Sequence, residues 1–356
     1  MAQQLMPFRA GTRQRLVLAG QGQYSFTIGT TNNVNVLLPN VGQLGMIILK
    51  VRGTITLSGA GTFGVFGPWT LVANATISTN LGSVPLWNAT GYGTYLAQRW
   101  QKEGWDPSLA GVGATTADSN VYVFPIAASG AYELTYILTL SLNDGLNFEL
   151  GLLNNQSPQV QTYLNITLDP VLTDVVSTAT ANTGTIEAWY WYYDIGDPSQ
   201  FALPPLTIVR TIEDMVAPIA ATGDSIQVFP QLGVMTNFLQ YIRLNSVLSD
   251  LFSQTYMRVN KTDVPYIFER QVQKAWNRRY MLINPIVGVV DWNFFQAYGP
   301  INLGDFRDCW DTEAFAYLEA AVSIPSGTTL GAIADHRIVR RVVQLLQTTP
   351  AQPAAQ

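Results

Sequence analysis

The sequence predicts an all-β chain folded as two consecutive domains. Three observations carry this. Apolar and polar residues alternate with period two over long runs, clearest from Tyr132 to Leu142, where Tyr132, Leu134, Tyr136, Leu138, Leu140 and Leu142 are separated by Glu133, Thr135, Thr139 and Ser141, with Ile137 the one break. The connections between such runs are rich in Gly, Pro and Asn, whereas a parallel sheet would need a helix between every pair of strands. At 356 residues the chain also exceeds the roughly 250–300 at which a single hydrophobic core stops growing.

Taken in order, residues 1–20 are polar and basic with Leu5, Met6 and Phe8 scattered among them, which predicts an N-terminal arm. Strands follow at Gln23–Ile28, Val34–Leu38 and Met46–Ser58, the last with Ile47, Leu49, Val51, Ile55 and Leu57 on one face, and then at Leu71–Ile77. Tyr92, Tyr95, Leu96, Arg99 and Trp100 fall on one stripe, so a helix is predicted over Tyr92–Glu103, followed by a Gly, Ala and Thr loop at Ala110–Ser119. A strand at Val121–Pro125, the long strand from Gly130, and Gln161–Leu168 complete the first half.

Residues 174–184 are small and polar without a period, and predict a linker. Thr185–Tyr193 carries Trp189, Tyr190, Trp191, Tyr192 and Tyr193 on both faces, the pattern of a strand buried on two sides. Leu206–Ile212 and Ser225–Pro230 read as strands and Val234–Leu251 as mixed. Asp263–Tyr280 predicts a helix from the stripe Val264, Ile267, Phe268, Val272, Ala275 and Trp276. Strands return at Ile286–Asn293, Phe315–Ile324 and Ile338–Leu346.

The second half thus repeats the order of the first. Two sandwiches of about 170 residues each are larger than immunoglobulin-type domains of about 100, and fit jelly rolls with long loops. The expected architecture is two consecutive eight-stranded jelly rolls with short inserted helices: arm 1–20, first roll 21–173, linker 174–184, second roll 185–347 and a flexible tail 348–356.

Composition narrows the function. Apolar residues make up 47% and charged ones 12%, against about 25% charged in an ordinary soluble domain, so much of the surface is expected to be covered by neighbours. The net charge is −5 and the 19 Lys and Arg form no long block, which leaves no electrostatic footprint for binding a phosphate backbone, and no direct sequence-specific nucleic-acid binding is expected. Small clusters at Arg9, Arg13 and Arg15, at Arg278 and Arg279, and at Arg337, Arg340 and Arg341 read as solvated faces or subunit contacts. Cys309 is the one cysteine, which excludes an intrachain disulfide and a cysteine metal cage. The first 20 residues do not read as a secretory signal, and no run of about 18 apolar residues predicts a transmembrane helix.

Candidate chemistry is sparse. Residues 59–64 spell GxGxxG after a strand, but Val65-Phe66-Gly67-Pro68 is hostile to the helix that a pyrophosphate site requires, so a turn is expected. His336, the one histidine, is expected at the surface or in a cap, and Asp308 and Asp311 would raise the pKa of Cys309 rather than activate it. Glu133, Glu149, Glu187 and Asp194 are carboxylates available for sugar hydrolysis, but nothing sets a separation between any two, and strand carboxylates are expected to face water. Sequons begin at Asn74, Asn88, Asn165 and Asn260 and read as chance. No catalytic residue, metal site or cofactor is nominated.

Phe66-Gly67-Pro68-Trp69-Thr70-Leu71-Val72, the Gly91–Glu103 helix, Gly130-Ala131-Tyr132-Glu133-Leu134-Thr135, Leu153-Asn154-Asn155-Gln156-Ser157-Pro158-Gln159 and Tyr163-Leu164-Asn165-Ile166 together resemble the major capsid protein of tectiviruses, bacterial viruses with an internal membrane. The likeness is clearest over residues 66–172. It implies a non-enzymatic double jelly roll whose homotrimers, of hexagonal outline, tile an icosahedral shell over a lipid vesicle. The implied partners are other trimers, minor capsid and vertex proteins, and peripherally the internal membrane. The implied location is the virion, after synthesis in a bacterial cytoplasm. Arg9, Arg13 and Arg15 of the arm are then the expected contacts to membrane or neighbour. The alternative is a secreted or cell-surface β-sandwich module that binds carbohydrate through exposed Trp and Tyr.

Overall fold

Gln43–Leu57 turns Ile47, Leu49, Val51 and Ile55 inward, all fully buried, and around this strand the first roll is built. It pairs antiparallel with Gly130–Thr139 on one side and Ala179–Asp194 on the other, and the latter carries Arg13–Leu18 and Tyr24–Thr27 along its far edge. A facing sheet runs Asn33–Leu38, Thr162–Leu168, Val72–Thr79 and Trp87–Ala89. Between the two lie Leu134, Tyr136, Leu138 and Ile186 from one side and Val36, Ile77, Leu164 and Ile166 from the other. The computed structural model describes residues 6–7, 12–19, 23–30, 32–80, 85–100, 123–143, 149–156, 160–194, 201–202, 207–281, 285–294 and 309–345.

The second roll repeats the plan. Thr207–Pro218, Asp335–Leu345, Val234–Leu244 and Val289–Asn293 form one sheet, and Gly223–Val228, Leu318–Ile324, Gln254–Val259 and Asp263–Glu269 the other. Phe238, Ile242, Met257, Val290, Trp292 and Val322 fill the space between them. The repeat reaches fine detail. In both rolls the second sheet ends in a strand that leads into a seven-residue helix, Gly91–Ala97 and Arg270–Trp276. A β-bulge also interrupts the pairing of the central strands at matching places: Gly45 is skipped opposite Trp191 and Tyr192 in the first roll, and Thr236 opposite Arg341 and Val342 in the second.

The rolls share a sheet. Trp87–Ala89 runs parallel to Thr207–Pro218, with Thr211 opposite Trp87 and Ile212 opposite Asn88, so one ten-stranded sheet crosses both. Consequently the adjoining strands of the second roll are buried on two faces: Phe238 and Ile242 enter the second core while Leu239, Tyr241, Val289 and Val339 join the first. This explains why Val234–Leu244 shows no alternation in sequence, since a strand covered on both sides has no polar face to reveal its period.

Four expectations change. Residues 174–184 are not a linker: Leu172–Asp174 is a short 3-10 turn, and Ala179–Asp194 is a single 16-residue strand of the first roll. Gly184 there reflects close packing, because a Cβ on it would meet the Arg52 carbonyl and the Phe26 ring. The N-terminal arm contains a strand, Arg13–Leu18, fixed to residues 189–194. Asp263–Glu269 is a strand, and the helix spans only Arg270–Trp276 before a π turn at Asn277–Met281; the spacing of Val264, Ile267 and Phe268 imitates a helical stripe, but cross-strand bonds to Gln254–Val259 hold the chain extended. The earlier helix is α over Gly91–Ala97 and 3-10 over Gln98–Trp100. Residues 101–103, the 110–119 loop and the 348–356 tail lie outside the described residues.

Candidate functional site

The polar centre of the molecule is the junction between the rolls. Glu213, on the Thr207–Pro218 strand of the second roll, reaches the start of the first roll's helix and accepts from the Thr90 amide at 2.7 Å and the Thr90 hydroxyl at 2.6 Å. Thr90 in turn caps the helix by accepting from the Gly93 amide at 3.0 Å. The other Glu213 oxygen accepts from the Tyr241 hydroxyl and lies 3.8 Å from Arg337 Nη1. Burial and the neighbouring carboxylate hold the Tyr241 phenol well above its ordinary pKa, so it remains a donor. Asp335 completes the set with a two-pronged bond from Arg243 and a contact to Arg337 Nη2 at 3.5 Å.

Phe66 of the first roll sits in this polar ring. Its face stacks on Tyr92 at 4.8 Å, and the guanidinium carbons of Arg243 and Arg337 stand 5.2 and 5.5 Å from its centroid. Gly67 follows with φ of +59°, which turns the chain into the Gly67–Leu71 3-10 helix and drops Trp69 into the core, stacked on Tyr95 at 4.3 Å. The Phe-Gly-Pro-Trp run is thus a fastening between rolls and core. Its role in joining them is not visible in sequence, because Arg243 and Arg337 lie far along the chain.

The Arg337, Arg340 and Arg341 cluster is not a solvated face. Arg340 and Arg341 are buried, Arg340 donating to the Pro230 carbonyl at 2.9 Å and Arg341 lying over the Trp100 ring at 5.2 Å. Burial pushes Arg341 down to about 10, still charged at neutral pH. His336 is likewise interior rather than at the surface: Gln240 Nε2 donates to its Nε2 at 3.2 Å, and its Nδ1 lies 3.4 Å from the Ser225 hydroxyl. Because the Gln240 oxygen already accepts from Thr255 and Trp292, the amide presents its donor to His336 and fixes a neutral imidazole. Its pKa is pushed down to about 3 by burial.

Arg13 and Arg15, expected in an arm that contacts membrane or neighbour, stand on the Arg13–Leu18 strand at one flank of the molecule, and Arg9 lies outside the described residues. Arg15 Nε is 2.8 Å from Asp194, with both side chains roughly half-exposed, a pair contributing at most about 1 kcal/mol. Leu16 and Val17 on the same strand are 50% and 38% exposed. Arg278 and Arg279 are exposed beyond the second helix.

The other sequence candidates resolve into structure. Residues 59–64 form a loop without a following α-helix, pinned where the Gly61 amide donates to the Ile126 carbonyl at 2.8 Å and Phe63 bridges Val176. Glu187 is not water-facing; it is buried against Arg52 at 2.7 Å and Gln23 at 2.7 Å, while Glu133 pairs with Lys50 at 3.0 Å. Asn74 and Asn88, two of the sequon residues, are joined across strands at 3.0 Å through side-chain amides. Among the described residues no group of three His, Cys, Asp or Glu could hold a metal. The space among Tyr266, Phe268, Trp276, Trp292 and Phe294 is about 20 Å³, room for roughly one water.

No protein-family model matches the sequence, and no curated protein matches it. The architecture, by contrast, superposes on solved structures along nearly its whole length. A chain of Sulfolobus Turreted Icosahedral Virus aligns with a TM-score of 0.66 at 17% identity, covering 96% of this chain and 94% of that one. The PBCV-1 virus capsid aligns at 0.63 and 11% identity, covering 93% and 94%, and the major capsid protein P2 from bacteriophage PM2 at 0.52 and 9%, covering 95% and 99%. The fold is the double jelly roll of viral capsid proteins. At these identities the likeness is one of fold, and in this double jelly roll the residues that fasten the halves are the Glu213 and Phe66 sets described above.

Proposed function

We propose that this protein is the major capsid protein of an icosahedral virus, with homotrimers of hexagonal outline as its building block. The observation that carries the reading is the ten-stranded sheet that makes two rolls one body, in a fold shared end to end with capsid chains. Its low charge content supports extensive contact with neighbours. The sugar-binding alternative needs open aromatic platforms; among the described exposed large apolar side chains Tyr317 is the one aromatic, and Lys261 covers its ring at 4.1 Å.

The tectivirus-like motifs extend the proposal to an internal membrane, a bacterial host, and minor and vertex proteins as partners. In that reading the segment before Thr12, with Arg9, faces the membrane or a neighbouring trimer, and each basic residue near anionic headgroups contributes about 1 kcal/mol. Light scattering on the purified protein tests the core claim: three 39.1 kDa chains give about 117 kDa, with a six-lobed particle by electron microscopy. A stable monomer at high concentration would overturn it. Deletion of residues 2–12, which removes Met6–Pro7 and its pairing with Phe201–Ala202 but spares the Arg13–Leu18 strand, is expected to leave the trimer mass unchanged and abolish closed shells; normal particle yield would remove the arm's role.

A further inference from the structure

Two edge strands, one in each roll, present the two halves of the junction that the protein uses internally. Inside the chain, the strand leading into the first helix lies parallel to Thr207–Pro218, with Trp87 opposite Thr211 and Asn88 opposite Ile212. The internal repeat supplies the equivalents of all four. Counting back from the helix starts at Gly91 and Arg270, Trp87 and Asn88 correspond to Tyr266 and Ile267. Counting from the shared bulge, Thr211, opposite Arg341, corresponds to Leu16, opposite Trp191, and Ile212 to Val17. Among the described residues Arg13–Leu18 and Asp263–Glu269 each pair with one strand alone, leaving an outer edge that is a template for a further strand. Leu16, Val17 and Ile267 are 50%, 38% and 54% exposed there.

The sheet faces agree. In the second roll Leu239 and Val339 are covered by the first roll; their equivalents on the first roll, Ile48 and Trp189, point outward and are only half-buried. Arg341 on that covered face lies over Trp100, nine residues after the first helix starts. The corresponding pair is Trp191, half-buried on the first roll, and the exposed Arg279, nine residues after the second helix starts. The same cation–π contact can therefore form with its partners exchanged.

We propose that copies of this chain join head to tail through a second version of the internal junction, with Arg13–Leu18 of one copy parallel to Asp263–Glu269 of the next. Leu16 then stands opposite Tyr266, Val17 opposite Ile267, Arg13 opposite the unlike charge of Asp263, and Trp191 receives Arg279. Such a contact is heterologous and closes into a ring when the rotation allows; the proposal rests on the trimer reading above and gives it a register.

Thiol cross-linking in a Cys309→Ser background tests it, with mass in solution measured on the same samples. Val17→Cys with Ile267→Cys, treated with a short bis-maleimide, is expected to give covalent dimers and trimers on a denaturing gel. Gln14→Cys with Val264→Cys, in the same register, is expected to do likewise, while Val17→Cys with Val228→Cys, on the opposite edge of the outer sheet, is not. A trimer in solution that fails to link through both matched pairs, or links through Val228, overturns the register and leaves the trimer standing. A monomer overturns both.

Discussion

Glu213 is the residue on which the two rolls depend most directly. Removing it leaves the half-buried Arg337 without one partner, and the buried Tyr241 hydroxyl and the Thr90 amide and hydroxyl without their acceptor, so Glu213→Ala is expected to destabilise by about 3–5 kcal/mol. The melting temperature should fall by about 4–7 °C by calorimetry; a change under a degree would show that the hub is dispensable. Gly93→Ala tests the same hub by crowding, because a Cβ there meets the Glu213 carboxylate and Val339. His336 makes a different prediction. Its folded pKa, about 3, lies below the unfolded value near 6.5, so the unfolded chain binds more protons between these limits. The contribution of neutral His336 is complete above about pH 6.5 and is lost as pH falls toward 3, amounting to about 2 kcal/mol by pH 5. Denaturant titrations of wild type and His336→Gln at pH 7 and pH 5 should show the variant losing less on acidification; equal losses would sink the assignment.

At the scale of elements, the Gly67–Leu71 turn and the Gly91–Ala97 helix act as one plug. Trp69 is fully buried between Tyr95 and Tyr136, at 4.3 and 5.4 Å, so Trp69→Ala is expected to remove about 3–5 kcal/mol. A loss of less than 1 kcal/mol in equilibrium unfolding would mean that the plug is not part of the core. Half-covered strands were legible from their alternation: Val34 and Val36, Tyr132 to Leu138, Leu164 to Leu168 each show one face in and one face out. Asp263–Glu269 was not legible, because apolar residues at spacings of three and four fit a helix as well as an edge strand with exposed Val264 and Ile267. Pairing with Gln254–Val259, the preceding strand across the Asn260–Thr262 turn, decides the case, and the spacing of apolar residues within the segment alone does not reveal that partner.

For the whole molecule, the shared sheet makes a mechanical prediction. Because Trp87–Ala89 belongs at once to both rolls, and Leu239, Tyr241, Val289 and Val339 complete the first roll's core, the rolls should unfold in a single cooperative transition by calorimetry. Two resolved transitions would show that the junction is weaker than its burial implies. The sequence by itself determined the all-β class, the two consecutive rolls and the excess of apolar surface over charge, since alternation and composition are local quantities. Only the tertiary structure decided that residues 179–194 complete the first roll, that His336, Arg340 and Arg341 are interior, and that Glu213 and Phe66 fasten the halves. Each of those depends on what a side chain meets more than a hundred residues away, and burial between two sheets erases the polar face from which a sequence reader infers exposure.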